Sequence, residues 1–247
     1  MNLLIDIGNT HTDMALATSR RVSRTVRFPT EDWYSKKYEG HIAGVTGKTQ
    51  VQQALCSSVV PSVTQIAKTF LTGSGLRFNL LTCNNCGLKI DYPRPKTIGA
   101  DRLANAIGAI DEFGAPVIVV DFGTAVTFDI INNKGVYVGG VIAPGLSAMT
   151  DYLHEKTALL PQIELRNPRR LIGKSTEEAM QIGAIHGYRG MIQGLLKQIC
   201  ESLKSTSVPT VATGGCAKLV CRNAPEFTAI RPRLTLSGLR LASNRIN

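Results

Sequence analysis

Two short segments place a carboxylate, a glycine and a hydroxyl close together, a combination suited to phosphate chemistry. One spans residues 6–10 (Asp-Ile-Gly-Asn-Thr) and the other spans residues 121–124 (Asp-Phe-Gly-Thr). The glycine lets backbone N–H groups approach an anion closely. A carboxylate alone would repel a phosphate by about 4 kcal/mol for unit charges about 4 Å apart at an effective dielectric of about 20. Asp6 and Asp121 therefore predict metal-assisted binding of nucleotide phosphates, with hydrogen bonds from Asn9, Thr10 and Thr124.

The two segments occupy equivalent places in two predicted strand–turn–strand hairpins. Apolar residues 117–120 lead into Asp121, and apolar residues at 126, 128 and 130 follow the turn. Residues 3–5 and 14–17 repeat this arrangement around Asp6. Buried strands joined by a glycine turn have this pattern. Because the two aspartates lie close to half of the 247-residue chain apart, the sequence predicts two related half-domains that face one another across a ligand.

The segment Gly-Ala-Asp-Arg at residues 99–102 is a second candidate for chemistry. A helix is predicted from Ala100, because the apolar residues at 103, 106, 107 and 110 share one helical face. In one interpretation, the helix dipole keeps the pKa of Asp101 low, and the carboxylate accepts a hydroxyl proton during phosphoryl transfer. Arg102 would then hold a carboxylate of the acceptor substrate. In the other, Asp101 caps the helix and Arg102 is solvated. Residue types alone do not decide between them.

Charge and composition narrow the class of protein. Lys and Arg outnumber Asp and Glu by 28 to 18, and the formal net charge of +10 would attract polyanions. No helix-turn-helix, zinc-finger or aromatic RNA-binding motif is present, so a solvated basic face is favoured over specific nucleic-acid binding. No apolar stretch predicts a signal peptide or a membrane-spanning helix. We therefore expect a cytoplasmic protein without a membrane partner.

Two further motifs resemble known sites but lack required residues. Gly173-Lys174-Ser175 resembles the end of a P-loop, yet the position that requires a glycine holds Pro168. Cys83 and Cys86 form a Cys-x-x-Cys, but no second pair follows at zinc-ribbon spacing. Reduced, partly buried thiols are the favoured interpretation of the six cysteines.

The candidate segments belong to a longer series of motifs. In chain order these are Asp-x-Gly-Asn-Thr at 6–10, Ser-Ser-Val-Val-Pro at 57–61, Gly-Ala-Asp-Arg at 99–102, Asp-x-Gly-Thr at 121–124, Gly-Gly-x-Ile-x-Pro-Gly at 139–145, Thr-Ala-x-Leu-Pro at 157–161, Ile-Gly-Lys-Ser-Thr at 172–176, Ala-Thr-Gly-Gly at 212–215 and Leu-Thr-Leu-x-Gly-Leu at 234–239. This series closely resembles the type III pantothenate kinase family over essentially the whole chain. The resemblance implies an actin-like α/β fold of two RNase H-like halves, residues 1–112 and 113–247, each a mixed five-stranded sheet with helices.

The resemblance also implies an activity and a set of roles. The activity is ATP-dependent phosphorylation of pantothenate to 4'-phosphopantothenate, the first step of coenzyme A biosynthesis. Asp101 would be the catalytic proton acceptor, Asp121 would bind K⁺ or NH₄⁺, and Mg²⁺ would accompany the nucleotide. The residues implied to contact ATP are Asp6, Gly8, Asn9, Thr10, Asp13, Thr124, Gly214 and Gly215. The residues implied to contact pantothenate are Tyr92, Gly99, Ala100, Asp101, Arg102 and Thr176, and Thr176 would reach the site of a partner subunit in a homodimer.

Two other functions remain open at this point. A non-enzymatic regulator that keeps the nucleotide-binding fold would suit the basic surface and the additional carboxylate of Asp13. A phosphohydrolase on the same fold would use water as the acceptor. The intact Gly-Ala-Asp-Arg segment and Thr176 favour the kinase over both.

Overall fold

The structure, a computed structural model, describes residues 1–205 and 207–246. The chain forms two compact units. Unit 1 comprises Met1–Ala115, Asn133–Gly139 and the C-terminal segment from Arg233, and unit 2 comprises Pro116–Asn132 and Gly140–Pro232. Two segments that the sequence analysis placed in the second half, residues 133–139 and the C-terminal segment, thus pack with unit 1. The division into duplicated halves at residues 112 and 113 stays a prediction.

The elements alternate between strands and helices along most of the chain. The strands are β1 (Asn2–Ile7), β2 (His11–Ala17), β3 (Val22–Pro29), β4 (Gln53–Ser58), β5 (Arg77–Leu80), β6 (Lys89–Ile90), β7 (Val117–Phe122), β8 (Ala125–Ile131), β9 (Val136–Pro144), β10 (Thr210–Thr213) and β11 (Ala229–Ile230). The helices are α1 (Tyr38–Thr46), α2 (Pro61–Gly73), α3 (Ala100–Phe113), α4 (Ala148–Lys156), α5 (Thr176–Ile182), α6 (Tyr188–Ser202), α7 (Ala217–Val220) and α8 (Leu234–Ser243).

Unit 1 is built on a mixed sheet with the order β3-β2-β1-β4-β5. β1 pairs antiparallel with β2 and parallel with β4, and β2 pairs antiparallel with β3. Leu3, Leu4 and Ile5 of β1 are fully buried, as expected for a central strand covered on both faces. β3 is the edge strand on one side, and its Arg24 and Arg27 are exposed.

Unit 2 repeats this strand order. Its sheet runs β9-β8-β7-β10-β11, with β7 antiparallel to β8 and parallel to β10. Residues 117–120 are fully buried, in agreement with the predicted buried strand. The predicted mixed α/β fold is therefore confirmed, although β6 next to β9 gives the second sheet six strands where five were predicted. Within unit 1, the start of β9 also pairs with the short strand β6 through Val136 and Tyr137.

The predicted long helix from Ser175 to about residue 203 is interrupted by a π-turn. α5 ends at Ile182, Gly183–Gly187 forms the π-turn, and α6 follows. The predicted capping box at its start is confirmed, because Ser175 Oγ accepts a hydrogen bond from the Glu178 N–H at 3.2 Å. The Glu178 carboxylate in turn accepts from the Lys174 N–H at 2.7 Å. The first bond satisfies an N–H group that a helix start leaves without a helical partner, and the second ties the residue before the cap to the helix.

Tyr188, the first residue of α6, carries a buried hydroxyl without a hydrogen-bond partner among the described residues. The side chain is fully buried, its ring centroid lies 6.3 Å from that of Phe122, and its Oη has no hydrogen-bond partner among the described residues. Burial, and then the nearby Cys216 and Cys221 thiols, raise the pKa of the phenol. We expect Tyr188→Phe to stabilise the protein by about 1–3 kcal/mol, because it removes an unsatisfied buried polar atom.

Thermal and denaturant unfolding would measure this change. The exposed Tyr152 of α4 provides the matched control, and Tyr152→Phe should shift stability by less than about 0.5 kcal/mol. A lower stability for Tyr188→Phe than for the wild type would mean that the hydroxyl is satisfied in solution.

The described residues contain neither a membrane-spanning helix nor a disulfide. No helix in residues 1–205 and 207–246 combines the length and the apolar character needed to cross a bilayer. All six cysteines are free thiols, which agrees with the favoured interpretation of the sequence.

Candidate active site

The first glycine turn joins β1 to β2 in the centre of the unit 1 sheet. The Gly8 N–H donates to the His11 carbonyl oxygen at 3.0 Å and closes the turn. A Cβ at Gly8 would lie 3.0 Å from the same oxygen, so the tight turn favours glycine. Asn9 and Thr10 are exposed at its tip, and Asp6 is half-buried at the end of β1. The structure therefore brings together the four residues that the first segment predicted.

Asp13 lies beside this turn, and its charge is partly offset. It stands opposite Asp6 in the β1–β2 register, which puts the two carboxylates on the same face of the sheet. It also stands opposite Arg27 of β3, whose Nε lies 3.9 Å from Asp13 Oδ2. Burial raises the pKa of Asp13, while Arg27 and His11 act to lower it. The sequence analysis did not identify Arg27 as a partner of Asp13.

Asp101 lies in the first turn of α3, and the preceding glycine makes room for it. Its Oδ1 accepts a hydrogen bond from the Arg102 N–H at 2.8 Å. A Cβ at Gly99 would collide with the same Oδ1 atom. Gly99 is the N-cap residue and Asp101 is the second residue of the helix, so the expectation that Asp101 is the cap is wrong. The Gly-Ala-Asp-Arg segment instead fixes the carboxylate against the helix start.

The expectation that the pKa of Asp101 is low is also wrong. Burial raises this pKa and outweighs the hydrogen bond from the Arg102 N–H and the positive charge of Arg102, which both lower it. The helix dipole lowers the pKa most for an acidic group next to the helix N-terminus, whereas loss of water around the carboxylate raises the pKa. A raised pKa makes the ionised group a stronger proton acceptor, which favours a role as general base.

Tyr92 follows β6 and packs on a segment far along the chain. The Asp91 N–H donates to the Tyr137 carbonyl oxygen at 2.9 Å, which continues the pairing of β6 with β9. The ring of Tyr92 covers Gly139, where a Cβ would lie 3.7 Å from Tyr92 Cε2. Tyr92 is 38% exposed, so part of the side chain is accessible to a ligand.

The second glycine turn joins β7 to β8 and is one residue shorter than the first. The Gly123 N–H donates to the Ala125 carbonyl oxygen at 3.1 Å. The Gly145 N–H donates to the Thr124 carbonyl oxygen at 3.1 Å, and a Cβ at Gly145 would overlap that oxygen. The segment after β9 therefore packs against this turn through Gly145. This role of Gly145 was not predicted from the sequence.

The Gly-Gly segment after β10 reaches Asp121. Thr213 pairs with Asp121 in the parallel β7–β10 register, and the next residue, Gly214, has φ +90°. A Cβ at Gly214 would lie 2.5 Å from Asp121 Oδ1 and 2.6 Å from the Phe122 nitrogen, whereas a Cβ at Gly215 would meet no described atom within 4 Å. The structure thus brings Asp121, Gly214 and Gly215 together at the ends of two parallel strands, next to the turn that carries Thr124.

Gly214 leaves room beside the Asp121 carboxylate, because it has no Cβ where one would lie 2.5 Å from Oδ1. Among residues 1–205 and 207–246, no three or more His, Cys, Asp or Glu side chains are grouped to hold a metal. A carboxylate is a hard oxygen ligand, the type that suits the K⁺ or NH₄⁺ implied by the sequence.

Thr176 and the Asp121 turn both lie in unit 2, but their surroundings differ. It is exposed in the first turn of α5 and lines an apolar cavity of about 440 Å³ with Met149, Leu153, Leu160 and Met180. This cavity shares no lining residue with the Asp121 turn or with the Gly-Gly segment.

Comparison with known proteins finds relatives that match along most of the chain. The sequence model of the type III pantothenate kinase family matches residues 2–198. A type III pantothenate kinase from Akkermansia muciniphila is 43% identical over 243 residues, which cover 98% of this chain and 97% of the relative. One from Methylacidiphilum infernorum is 42% identical over 241 residues, which cover 97% of this chain and 86% of the relative.

Structural similarity is also found at much lower sequence identity. A Sinorhizobium meliloti protein provisionally named a 2-dehydro-3-deoxygalactonokinase aligns with a TM-score of 0.66 at 13% identity, over 100% of this chain and 99% of that chain. At this identity the likeness shows the fold alone, which is the predicted actin-like fold. The full-length relatives and the family model show more than the fold: this chain belongs to the type III pantothenate kinase family.

Proposed function

We propose that the chain transfers a phosphoryl group from ATP to the primary hydroxyl of pantothenate, with Asp101 as the proton acceptor. This is the type III pantothenate kinase reaction, the first step of coenzyme A biosynthesis. The observation that carries the assignment of Asp101 is its carboxylate, held at the start of α3 against Gly99 with a pKa raised by burial. In phosphoryl transfer, such a base and the alignment of both substrates supply most of the catalysis.

Each of the two glycine turns is proposed to contact ATP. In unit 1, the exposed tip formed by Asn9 and Thr10 would donate hydrogen bonds to phosphate oxygens, with Asp6 and Asp13 beside it. In unit 2, Thr124 and the Gly214–Gly215 segment would contact the nucleotide, and Asp121 would hold K⁺ or NH₄⁺. The cation supplies positive charge between the Asp121 carboxylate and the phosphates, and Mg²⁺ does so on the nucleotide itself.

The pantothenate site is proposed around the start of α3. Arg102 follows the base directly and would bind the carboxylate of pantothenate, because a guanidinium matches a carboxylate with two parallel hydrogen bonds. Gly99 and Ala100 would approach the substrate through the backbone, and the exposed part of Tyr92 would pack on the apolar part of the substrate.

An assay for ADP release tests this function against its two alternatives. ADP release that requires pantothenate would identify the kinase, and mass spectrometry should then find 4'-phosphopantothenate. ADP release without pantothenate would identify a phosphohydrolase, and nucleotide binding without ADP release would favour a regulator.

We also propose a homodimer in which Thr176 contacts pantothenate bound by the partner subunit. Large apolar side chains are unusually exposed near this residue in sequence: Leu159 is 88%, Leu171 71% and Ile172 74% exposed. Exposed apolar side chains in one region are typical of interaction surfaces. Together with the apolar cavity lined by Thr176, they support a partner surface on this part of unit 2.

Thr176→Ala should raise the KM for pantothenate with little change in melting temperature. The cap of α5 is Ser175, so loss of the Thr176 hydroxyl leaves the capping bonds intact. Ser175→Ala is the matched control, because it should cost about 1 kcal/mol of stability through the lost cap. Steady-state kinetics and thermal unfolding of both variants measure the difference.

Subunit mixing tests the shared site directly. A heterodimer of Thr176→Ala and Asp101→Asn subunits has one site with both substitutions and one site with neither. At pantothenate concentrations well below the raised KM of Thr176→Ala, activity should therefore rise above the sum of the two parents as subunits exchange. If exchange is verified by native mass spectrometry and activity never exceeds that sum, the shared site is wrong.

A further inference from the structure

Thr30 is a buried residue that binds the first glycine turn through two separate hydrogen bonds. It follows β3 and begins a short 3₁₀ turn, Thr30–Trp33. Its backbone N–H donates to the Thr10 carbonyl oxygen at 2.9 Å, and its hydroxyl donates to the Gly8 carbonyl oxygen at 2.8 Å. One residue from another strand thus holds two of the carbonyl groups of the proposed phosphate-binding turn.

The hydroxyl bond belongs to a chain whose direction is fixed by the donors. Trp33 Nε1–H can only donate, and it does so to Thr12 Oγ1 at 3.1 Å. Thr12 Oγ1 lies 3.1 Å from Thr30 Oγ1. Because the single proton of Thr30 goes to Gly8, the Thr12 hydroxyl must donate to Thr30. All three side chains are at most 3% exposed, so water does not compete for these bonds.

The far end of this chain is held rigidly by aromatic packing. The ring of Trp33 stacks on Tyr38 with centroids 4.6 Å apart and lies 6.2 Å from Phe28. Phe28 in turn stacks on His41 at 4.1 Å, and His41 Nε2 lies 2.8 Å from Asp32 Oδ2. The orientation of the turn is therefore determined by the core of unit 1 and not by the turn alone.

The Thr30 bonds decide which backbone groups of the turn a phosphate meets. A carbonyl oxygen directed at a phosphate would repel it, and Thr30 engages both the Gly8 and the Thr10 carbonyl oxygens. In a planar trans peptide the N–H points opposite to the C=O. Fixing the Gly8 carbonyl toward Thr30 consequently directs the Asn9 N–H away from Thr30, in the orientation that an anion on the outer side of the turn requires.

We propose that Thr30 is a positioning residue for the phosphates of ATP, acting through the Gly8–Thr10 turn at the end of the Trp33–Thr12–Thr30 hydrogen-bond chain. The proposal rests on the proposed role of this turn in nucleotide binding. Thr30 itself does not contact the substrate, so its effect should fall on ATP and leave pantothenate binding unchanged.

The decisive variant is Thr30→Val, which keeps the shape and the backbone N–H bond but removes the hydroxyl. We expect the KM for ATP to rise about tenfold, the equivalent of one lost hydrogen bond of about 1.4 kcal/mol. The KM for pantothenate should stay within about twofold. Thr30→Ser should restore the ATP KM because it returns the hydroxyl. Thr46→Val is the matched control, since Thr46 Oγ1 donates to the Ile42 carbonyl oxygen inside α1 and does not contact the turn.

Melting temperatures distinguish a positioning role of Thr30 from a role in the stability of the protein. Equal increases in both KM values, or a lower melting temperature with an unchanged ATP KM, would overturn the proposal. If Thr30→Val does not fold, Trp33→Phe provides the second test, because it removes only the first donor of the chain and should also raise the ATP KM selectively. An unchanged ATP KM in a folded Trp33→Phe protein would contradict the proposal.

The single tryptophan offers an independent readout. Adding a non-hydrolysable ATP analogue should change Trp33 emission in the wild type, and less so in Thr30→Val at saturating analogue. Equilibrium dialysis with labelled ATP distinguishes the two levels of failure. If the wild type binds no ATP, both the proposed function and this inference are wrong. A wild type that binds ATP, with Thr30→Val indistinguishable from it, would end this inference alone.

Discussion

Replacing Asp101 by Asn should abolish pantothenate phosphorylation while ATP binding stays close to that of the wild type. We expect kcat to fall by about 10²–10⁴, the usual loss when a general base is removed. The amide keeps the size of the carboxyl group, and its oxygen can still accept the hydrogen bond from the Arg102 N–H. It cannot accept a proton from the substrate hydroxyl. The ADP assay with saturating pantothenate measures the rate, and equilibrium dialysis measures ATP binding.

Asp111 provides the matched control for this substitution. It lies on the same helix, α3, and is exposed. Asp111→Asn changes the same charge by the same chemistry and should leave kcat within about twofold, since surface substitutions of this kind have small effects. An Asp101→Asn enzyme that keeps more than about a tenth of the wild-type kcat would remove Asp101 from the mechanism.

The raised pKa of Asp101 can also be tested through the stability of the folded protein at different pH values. A carboxyl group whose pKa is higher in the folded than in the unfolded protein destabilises the fold at pH values where it is ionised. Asp101→Asn should therefore melt at a higher temperature than the wild type near neutral pH. The difference should shrink as the pH falls through the folded pKa and vanish below the ordinary aspartate value of about 4. The acid limb of the kcat/KM profile should lie above that ordinary value for the same reason.

The second large effect is expected at Asp121. Wild-type activity should require K⁺ or NH₄⁺, and Asp121→Ala should raise the ATP KM steeply because the cation is no longer held. Without the cation, the wild-type carboxylate would face a phosphate at a cost of about 4 kcal/mol per charge pair at an effective dielectric of about 20, or roughly a thousandfold in affinity. Kinetics in K⁺, NH₄⁺, Na⁺ and tetramethylammonium buffers measure the dependence.

Asp121→Asn separates the charge of the residue from its size. It neither binds the cation strongly nor repels the phosphate, so its activity should be reduced and insensitive to the choice of cation. Asp151→Asn, an exposed change on α4 in the same unit, should retain the wild-type dependence. Full wild-type activity in Na⁺ or tetramethylammonium alone would contradict the cation site.

Much of this fold could be predicted because its main features are local. The two hairpins are marked by apolar runs that end at an aspartate and a glycine turn, and the strand register follows from the two-residue period. Leu103, Ala106 and Ile107 share one face of α3 and are buried. Their burial follows in the same way from the 3.6-residue period of a helix. Asp121 and Gly214 were predicted by their motifs, and the structure places them in contact.

The features that were not predicted depend on tertiary structure. Asp13 and Arg27 become partners only through the β2–β3 register, which shifts between Ala15 and Leu16. The pKa of Asp101 depends on how deeply α3 packs, which residue type and helix position do not determine. Thr30 has no local pattern that links it to Gly8, because their contact is made across strands.

The arginines of β3 affect how readily copies of the protein aggregate in solution. An edge strand exposes backbone groups that can pair with the edge strand of another molecule and begin aggregation. Here Arg24 and Arg27 on the strand, with Arg20 and Arg21 in the turn before it, would bring like charges together whenever two such edges met. The repulsion weakens as salt shortens the range of electrostatic forces. Part of the net positive charge thus protects the monomer edge from unwanted strand pairing and requires no nucleic-acid partner to explain it.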